Sequence, residues 1–416
     1  MKATLVIRNI GELATPLGSG ALKGSAMDQL RVVKNAAVAI HVDRIAWAGP
    51  ESELPPFEGP APEALDAKGR ALVPGFVDSH THFVFGGYRD EEFLWRAGGM
   101  PYMEIHERGG GIATSVRATR ASSLEELMGA GAIRLERMLE LGVTTVEGKS
   151  GYGLDKDTEL RQLQAMARLD ALQPVDIVPT FMGMHSIPPE YKGRPAAYTD
   201  YVIEEVLPAV QAQGIARYCD VFCERGVFEL EDSRRFLLAA REAGFGIKLH
   251  ADEIVRLGGA GLAAELRAAS ADHLLKADAA DLAAMAQAGV VASCLPLTAF
   301  VLREPYADAK AMMAAGCAVA LASDLNPGSC YSQSMALIAG IAVLYMGMSM
   351  EATLTALTLN GAAALGLAHD RGSIEPGKLA DLLLLDAPSY RHLAYHTGMN
   401  IVGTVVKNGV VASVRN

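Results

Sequence analysis

A chain of 416 residues, 50% hydrophobic and with a mean hydropathy of +0.19, can bury a barrel-sized core, which excludes a disordered scaffold. Its formal charge of -11, from 48 acidic and 37 basic residues, argues against a surface made for nucleic acid or anionic membrane. The five cysteines, Cys219, Cys223, Cys294, Cys317 and Cys330, are too scattered for a disulfide framework or a zinc knuckle and suit a reducing, cytoplasmic setting.

In chain order, the start from Met1 to Arg8 reads as a charged strand, not a cleaved signal. Short alternating runs at 4–7, 36–41 and 44–49 predict a small antiparallel sheet. Gly18, Gly20 and Gly24 read as a surface loop, since no Walker-type lysine follows them. A buried strand is expected over 72–77, with a Pro-Gly adjustment inside it. Strands and helices then alternate. Strands are expected at 143–147, 176–181, 218–222, 246–250, 270–274, 290–294 and 318–323. Helices are expected at 124–141, 160–172, 197–211 (interrupted by Pro208), 232–243, 257–268, 278–288 and 307–315. The apolar stretch 335–350 is broken by Gly340 and Gly347 and reads as a buried helix, so no membrane span is expected. After a turn at 372–378, strand texture returns at 380–385 and 402–407, the latter ending in the Asn408-Gly409 turn.

Repeated strand and helix over nearly 300 residues predicts an α/β fold, a (β/α)8 TIM barrel, with a doubly wound open sheet as the runner-up. No Gly-x-Gly-x-x-Gly follows the first barrel strand, which counts against the open sheet. Strand texture at both ends predicts that the termini meet in one small β domain. The expected division is 1–72 and 369–416 for that domain and 73–368 for a catalytic barrel.

His80 and His82 stand two apart on an extended segment, so both imidazoles can reach one point. His250 and Asp324 each follow a predicted barrel strand, where barrel strand ends surround an active site. Three imidazoles and a carboxylate suit a borderline ion such as Zn²⁺, although each residue alone has an ordinary structural reading. A metal there lowers the pKa of a bound water, and Asp324 can hold that water or take its proton. His273 can polarise a carbonyl, and Glu253 can orient a substrate nitrogen and shuttle a proton. Arg89 offers a planar fork for a carboxylate. Tyr102, Tyr152 and His185 can frame a small planar ring, while the segment from Asn326 through Gly328 to Ser329 offers a side-chain amide and exposed backbone amides. Lys149 suggests a modified, metal-bridging lysine, but no complete second ligand set accompanies it.

Several segments carry a family resemblance. They are Pro74-Gly75-Phe76-Val77-Asp78-Ser79-His80-Thr81-His82, Phe85-Gly86-Gly87-Tyr88-Arg89, Glu147 to Leu154, Lys248 to Glu253, and Ser323 to Ser329. With them the chain resembles the amidohydrolase superfamily and, within it, the imidazolonepropionase family over essentially its full length. The resemblance implies a metal-bearing TIM barrel with a composite β-sandwich-like domain, a homodimer, and one divalent or trivalent ion per chain, zinc or iron. It also implies His80, His82, His250 and Asp324 as ligands, with Arg89, Tyr102, Tyr152, His185, Glu253, His273, Asn326, Gly328 and Ser329 around a small carboxylate-bearing substrate. The implied reaction opens the ring amide of 4-imidazolone-5-propanoate to N-formimino-L-glutamate. Asp324, His273 and Glu253 would be its catalytic groups. Another cyclic-amide hydrolase, a heterocycle aminohydrolase and a noncatalytic metal or small-molecule binder are the alternatives.

Overall fold

The ends of the chain and its middle follow different hydrophobic periods, and they separate into two eight-stranded sheets in the computed structural model, which describes residues 1–100, 104 and 110–415. Strands β1 (Leu5–Thr15), β2 (Arg31–His41) and β3 (Arg44–Pro50) pair antiparallel. Strands β4 (Glu63–Asp66) and β5 (Ala71–Pro74) lie parallel to β1. The barrel follows: β6 (Phe76–Asp78), β7 (Val143–Lys149), β8 (Asp176–Met184), β9 (Tyr218–Cys223), β10 (Gly246–Ala251), β11 (Ser270–His273), β12 (Val291–Cys294) and β13 (Ala318–Leu321). These eight run parallel and neighbour one another in chain order. The chain then rejoins the first sheet through β14 (Leu382–Leu385), β15 (Val402–Lys407) and β16 (Val410–Val414), with β14 against β5. The barrel and the sheet shared by both termini are as the sequence predicts.

One run enters both sheets. Where a single strand is expected over 72–77, there are two, divided at Gly75. Val73 pairs with Leu383 in the terminal sheet, whereas Phe76 pairs with Val143 in the barrel. The Gly75 amide donates to the Asp381 carbonyl at 2.8 Å, and a Cβ on Gly75 would stand 2.3 Å from Thr144 Oγ1. Only glycine permits that crossing.

Closure of the barrel happens at the residues that matter most. The Asp324 amide donates to the His80 carbonyl at 3.0 Å and the His82 amide to the Leu325 carbonyl at 2.8 Å. Ser323 Oγ donates to Asp78 Oδ2 at 2.6 Å. Backbone pairing between the first and last strands therefore sets where these side chains stand.

Around the barrel, helix Leu124–Glu140 starts at Ser123, whose side chain exchanges hydrogen bonds with Glu126 in a capping box. The helix interrupted by Pro208 is a composite: Pro195–Tyr201 passes through a π turn, Val202–Val206, into Leu207–Gln213, which begins one residue before the proline. The wider turn accommodates a residue that has no amide to donate. Ile7, Ile10, Ile40, Leu72, Leu382 and Leu384 form a separate core within the terminal sheet. All five cysteines are buried free thiols. Among the described residues no helix is long and apolar enough to cross a membrane.

Candidate active site

At the C-terminal end of the barrel the four expected ligands come together. Asp324 Oδ1 lies 3.5 Å from His80 Nε2 and 4.0 Å from His82 Nε2. The ring centroids of His80 and His250 are 4.5 Å apart, and those of His82 and His250 are 5.7 Å apart. Donor atoms of His80, His82 and Asp324 all fall within 4.8 Å of one another, as do those of His80, His250 and His273 and those of His82, His185 and His250. His185 and His273 thus stand beside the four as neighbours of the same point.

Burial pushes the imidazoles of His80, His82 and His250 well below the ordinary histidine pKa, so all three rings are neutral. Among the described residues, the Nε2 atoms of His80 and His250 are buried without a hydrogen-bond partner. Neutral, orphaned nitrogen lone pairs beside a carboxylate are the donor set a borderline divalent ion takes. Burial also lifts Asp324 to about 7, although its Oδ2 accepts from Thr298 Oγ1 at 2.6 Å. Asp324 and His273 both adopt left-handed backbone, φ 52° and 74°, which turns each side chain at the strand end toward the cluster.

The candidate ligand rings are oriented from behind. His80 Nδ1 lies 2.6 Å from Asp272 Oδ2, His250 Nδ1 lies 3.1 Å from Asp220 Oδ1, and His82 Nδ1 lies 3.3 Å from the Ser150 carbonyl. An acceptor at Nδ1 keeps the proton there and leaves Nε2 to the ion. Behind these carboxylates lie two fully buried lysines. Lys149 Nζ is 2.6 Å from Asp220, 3.0 Å from Glu147 and 3.5 Å from Asp272, and Lys248 Nζ is 2.7 Å from Glu147. Burial works against the Lys149 ammonium, but Asp220, Glu147 and Asp272 more than offset it and hold its pKa above the ordinary lysine value. Lys149 therefore belongs to an ionic layer beneath the ligands.

Above the cluster opens a cavity of about 410 Å³, lined by His82, Arg89, Tyr152, His185, His250, Glu253, His273, Asp324, Asn326, Gly328 and Ser329. The His185 ring stacks on His82 at 4.8 Å, its Nδ1 lies 3.1 Å from the Gly151 carbonyl, and burial lowers it to about 4. Tyr152 meets the His185 ring edge-on at 5.2 Å. Its loop is anchored by Glu159, which accepts from the amides of Gly151, Gly153 and Leu154 at 3.0, 2.9 and 2.8 Å. Burial, with Asp324 adding to it, raises Glu253 to about 8, and burial lowers His273 to about 4. Glu253 Oε1 and His273 Nδ1 are 3.5 Å apart, both neutral at pH 7.

At the far side, Arg89 donates through Nε to Glu92 Oε2 at 2.9 Å and through Nη2 to Glu92 Oε1. Glu92 also accepts from the Gly111 amide at 2.7 Å, and Arg96 donates to the Gly328 carbonyl at 2.8 Å. Asn326 departs from expectation. Its Oδ1 accepts from the amides of Gly328 and Ser329, both at 2.8 Å, while its Nδ2 donates to the Asp324 carbonyl at 2.7 Å. The backbone amides expected to be exposed here are therefore occupied, because an asparagine closing its own turn uses the amides two and three residues on. Tyr102 lies outside the described residues.

Sequence reasoning missed Asp220, Asp272, Glu92, Arg96 and Glu159. For Asp220 and Asp272 a signal existed: a carboxylate inside an apolar parallel strand is costly unless something pairs with it.

Comparison with known proteins agrees with this geometry. Residues 230–412 match the Amidohydrolase family. Imidazolonepropionase of Parabacteroides distasonis is 53% identical over 406 residues, 97% of this chain and 98% of that one. The protein of the same name from Bacteroides thetaiotaomicron is 54% identical over 415 residues, 99% of each chain. An adenosine deaminase from Xanthomonas campestris, solved with bound zinc, superposes with a TM-score of 0.72 over 99% of this chain and 93% of that one at 20% identity, a likeness of fold. Barrel, ligand cluster and these matches together define a metal-dependent hydrolase of the amidohydrolase class. Within that class the chain belongs to the imidazolonepropionase family.

Proposed function

We propose that the cavity opens the ring amide of 4-imidazolone-5-propanoate with water, giving N-formimino-L-glutamate in histidine degradation. The observation that carries this reading is the pairing, in one cavity, of a cluster able to hold an ion with the Arg89 guanidinium, whose Nη1 faces Gly328 while Nε and Nη2 are held by Glu92, in a chain with full-length imidazolonepropionase relatives. His80, His82, His250 and Asp324 hold one ion per chain, zinc or iron. When bound, that ion supplies the Lewis acidity that makes water nucleophilic at neutral pH and polarises the ring carbonyl.

The side chains supply the rest. Asp324, steadied by the Thr298 hydroxyl on Oδ2, accepts the proton of the attacking water. Neutral His273 donates a hydrogen bond to the carbonyl oxygen as negative charge gathers there. Glu253, protonated below about 8, gives its proton to the leaving ring nitrogen, and the proton on Asp324 restores it. Arg89 binds the propanoate carboxylate. Tyr152 and His185 frame the ring, and Asn326 shapes the turn that carries Gly328 and Ser329 to the cavity wall; the family resemblance adds Tyr102 as a substrate contact. A homodimer in the cytoplasm is part of this reading and rests on the family resemblance; sedimentation tests the dimer.

The experiment is metal analysis combined with ultraviolet decay of imidazolone propanoate and mass detection of the product, comparing the intact protein with Asp324→Ala. Ring opening without free ammonia supports the proposal. Ammonia release points to an aminohydrolase, and an inert substrate in ion-replete protein overturns the named specificity.

A further inference from the structure

The ionic layer beneath the ligands contains a cross-brace. Asp272 Oδ2 faces His80 Nδ1 at 2.6 Å and Lys149 Nζ at 3.5 Å. Asp220 gives one oxygen to each neighbour: Oδ1 lies 3.1 Å from His250 Nδ1, and Oδ2 accepts from Lys149 Nζ at 2.6 Å. One ammonium thus touches both carboxylates that stand behind ligand imidazoles. Lys248, the other buried ammonium, hydrogen-bonds instead to Glu147 Oε2 and the Ser79 carbonyl. Every one of these side chains except His250, at 3%, has no exposed surface, so bulk solvent does not screen the charges from one another. Donor oxygens of Asp220 and Asp272 fall within 4.8 Å of each other, a separation at which two buried carboxylates repel strongly unless a cation lies between them.

We propose that Lys149 is a positioning residue of the metal site: by holding Asp220 and Asp272 together it aims the Nε2 atoms of His250 and His80 at one point. The inference rests on the ligand assignment above. Strand geometry explains the placement. Lys149 is the last residue of β7, two strands from β9 and four from β11, and its four-carbon stem reaches across the barrel interior to the carboxylates on both. It adds no ligand of its own, because its hydrogen bonds go to carboxylates.

Ion affinity of the apoprotein, measured by competition with a chromophoric chelator, and the visible spectrum of the Co²⁺-loaded protein test this. Lys149→Met is expected to weaken zinc binding roughly 10- to 100-fold and to shift the Co²⁺ bands, the cost usual for removing support behind a ligand. That variant leaves three carboxylates facing Lys248 alone, so misfolding is a separate route to the same loss. Glu147→Gln/Lys149→Met removes one charge of each sign and keeps the layer at a surplus of one carboxylate. Compared with Glu147→Gln alone, this double variant is expected to bind zinc weaker by a similar factor, with the same spectral shift. A folded double variant that matches Glu147→Gln in affinity and spectrum overturns the proposal. The ligand assignment fails differently: the unaltered protein would then bind no zinc at the site, or keep it in His80→Ala and His250→Ala.

Discussion

The two ends of the cavity are built by different means. At the ion end, His80, His82, His250 and Asp324 lie on barrel strands or within four residues of one, and backbone hydrogen bonds that close the barrel fix three of them directly. At the carboxylate end, Arg89 hangs from a loop, is gripped by Glu92 three residues on, and presses against Gly328 in another loop. Tyr152 is held by a third loop tied to Glu159. Sheet geometry sets the first region, and contacts between loops set the second. A change at the ion end should therefore cost chemistry, and one at the other end should cost capture.

The largest break is expected at Asp324, the one group proposed as both ligand and proton acceptor. Asp324→Ala should lower kcat roughly 10²- to 10⁴-fold, the range for removing a positioned acid or base, and metal analysis should show partial loss of the ion. Chelation should abolish turnover and lower the melting temperature, since an ion at a thousand times its Kd contributes about 4 kcal/mol; re-addition should restore both. Arg89→Ala should act on the other end alone. A charged hydrogen bond is worth about 1.5–3 kcal/mol, so KM should rise roughly 10- to 150-fold while metal content stays unchanged. If kinetics on the natural substrate and on an analogue lacking the carboxylate change equally, Arg89 is not the carboxylate contact.

The same division explains what could be read in the residues. His80 and His82 were legible only jointly with His250 and Asp324, because each alone has an ordinary structural use and it is the shared position after barrel strands that singles them out; the strand-helix alternation carries the barrel. The break at Gly75 was not legible: Leu72 to Val77 is one apolar run, and nothing local says that its halves join different sheets. Glu159 and Glu92 sit on helices at positions that read as solvated faces, and only the loops folded back onto them reveal buried acceptors. Lys149 was visible as an oddity after an apolar strand, but its partners come from strands some 70 and 120 residues later, a separation that local pattern does not encode.

Glu253 links the two regions and yields a pH signature. Burial first, then Asp324, raises it from 4.5 to about 8, so the proton-donating form is full at pH 7 and drains away above about 8. The kcat/KM profile should therefore fall about tenfold per pH unit on its alkaline side, and Glu253→Gln should flatten that limb while lowering the plateau. The same shift makes the folded state hold a proton that the unfolded chain releases, so Glu253's contribution to stability declines as pH rises from 4.5 to about 8. Urea titrations of the protein and of Glu253→Gln should agree best at the acid end of that window and diverge toward its alkaline end, where only the unaltered protein must bury a carboxylate.

The smallest effect expected is also the sharpest probe of the loop-built end. An alanine Cβ at Gly328 would stand 2.1 Å from Arg89 Nη1 and 2.8 Å from its Cζ. The backbone at Gly328 is not left-handed, so alanine brings no conformational strain of its own and the contact is isolated. Arg89 has limited room to yield, because Nε and Nη2 are both committed to Glu92. Overpacking costs about 1–3 kcal/mol where neighbours cannot relax fully, and part of that should appear as a misplaced guanidinium. Gly328→Ala should therefore raise KM about three- to tenfold, less than Arg89→Ala, with kcat and ion content unaltered. An unchanged KM would mean that the grip of Glu92 on Arg89 is looser than these distances imply, and that the loop end tolerates displacement the strand end does not.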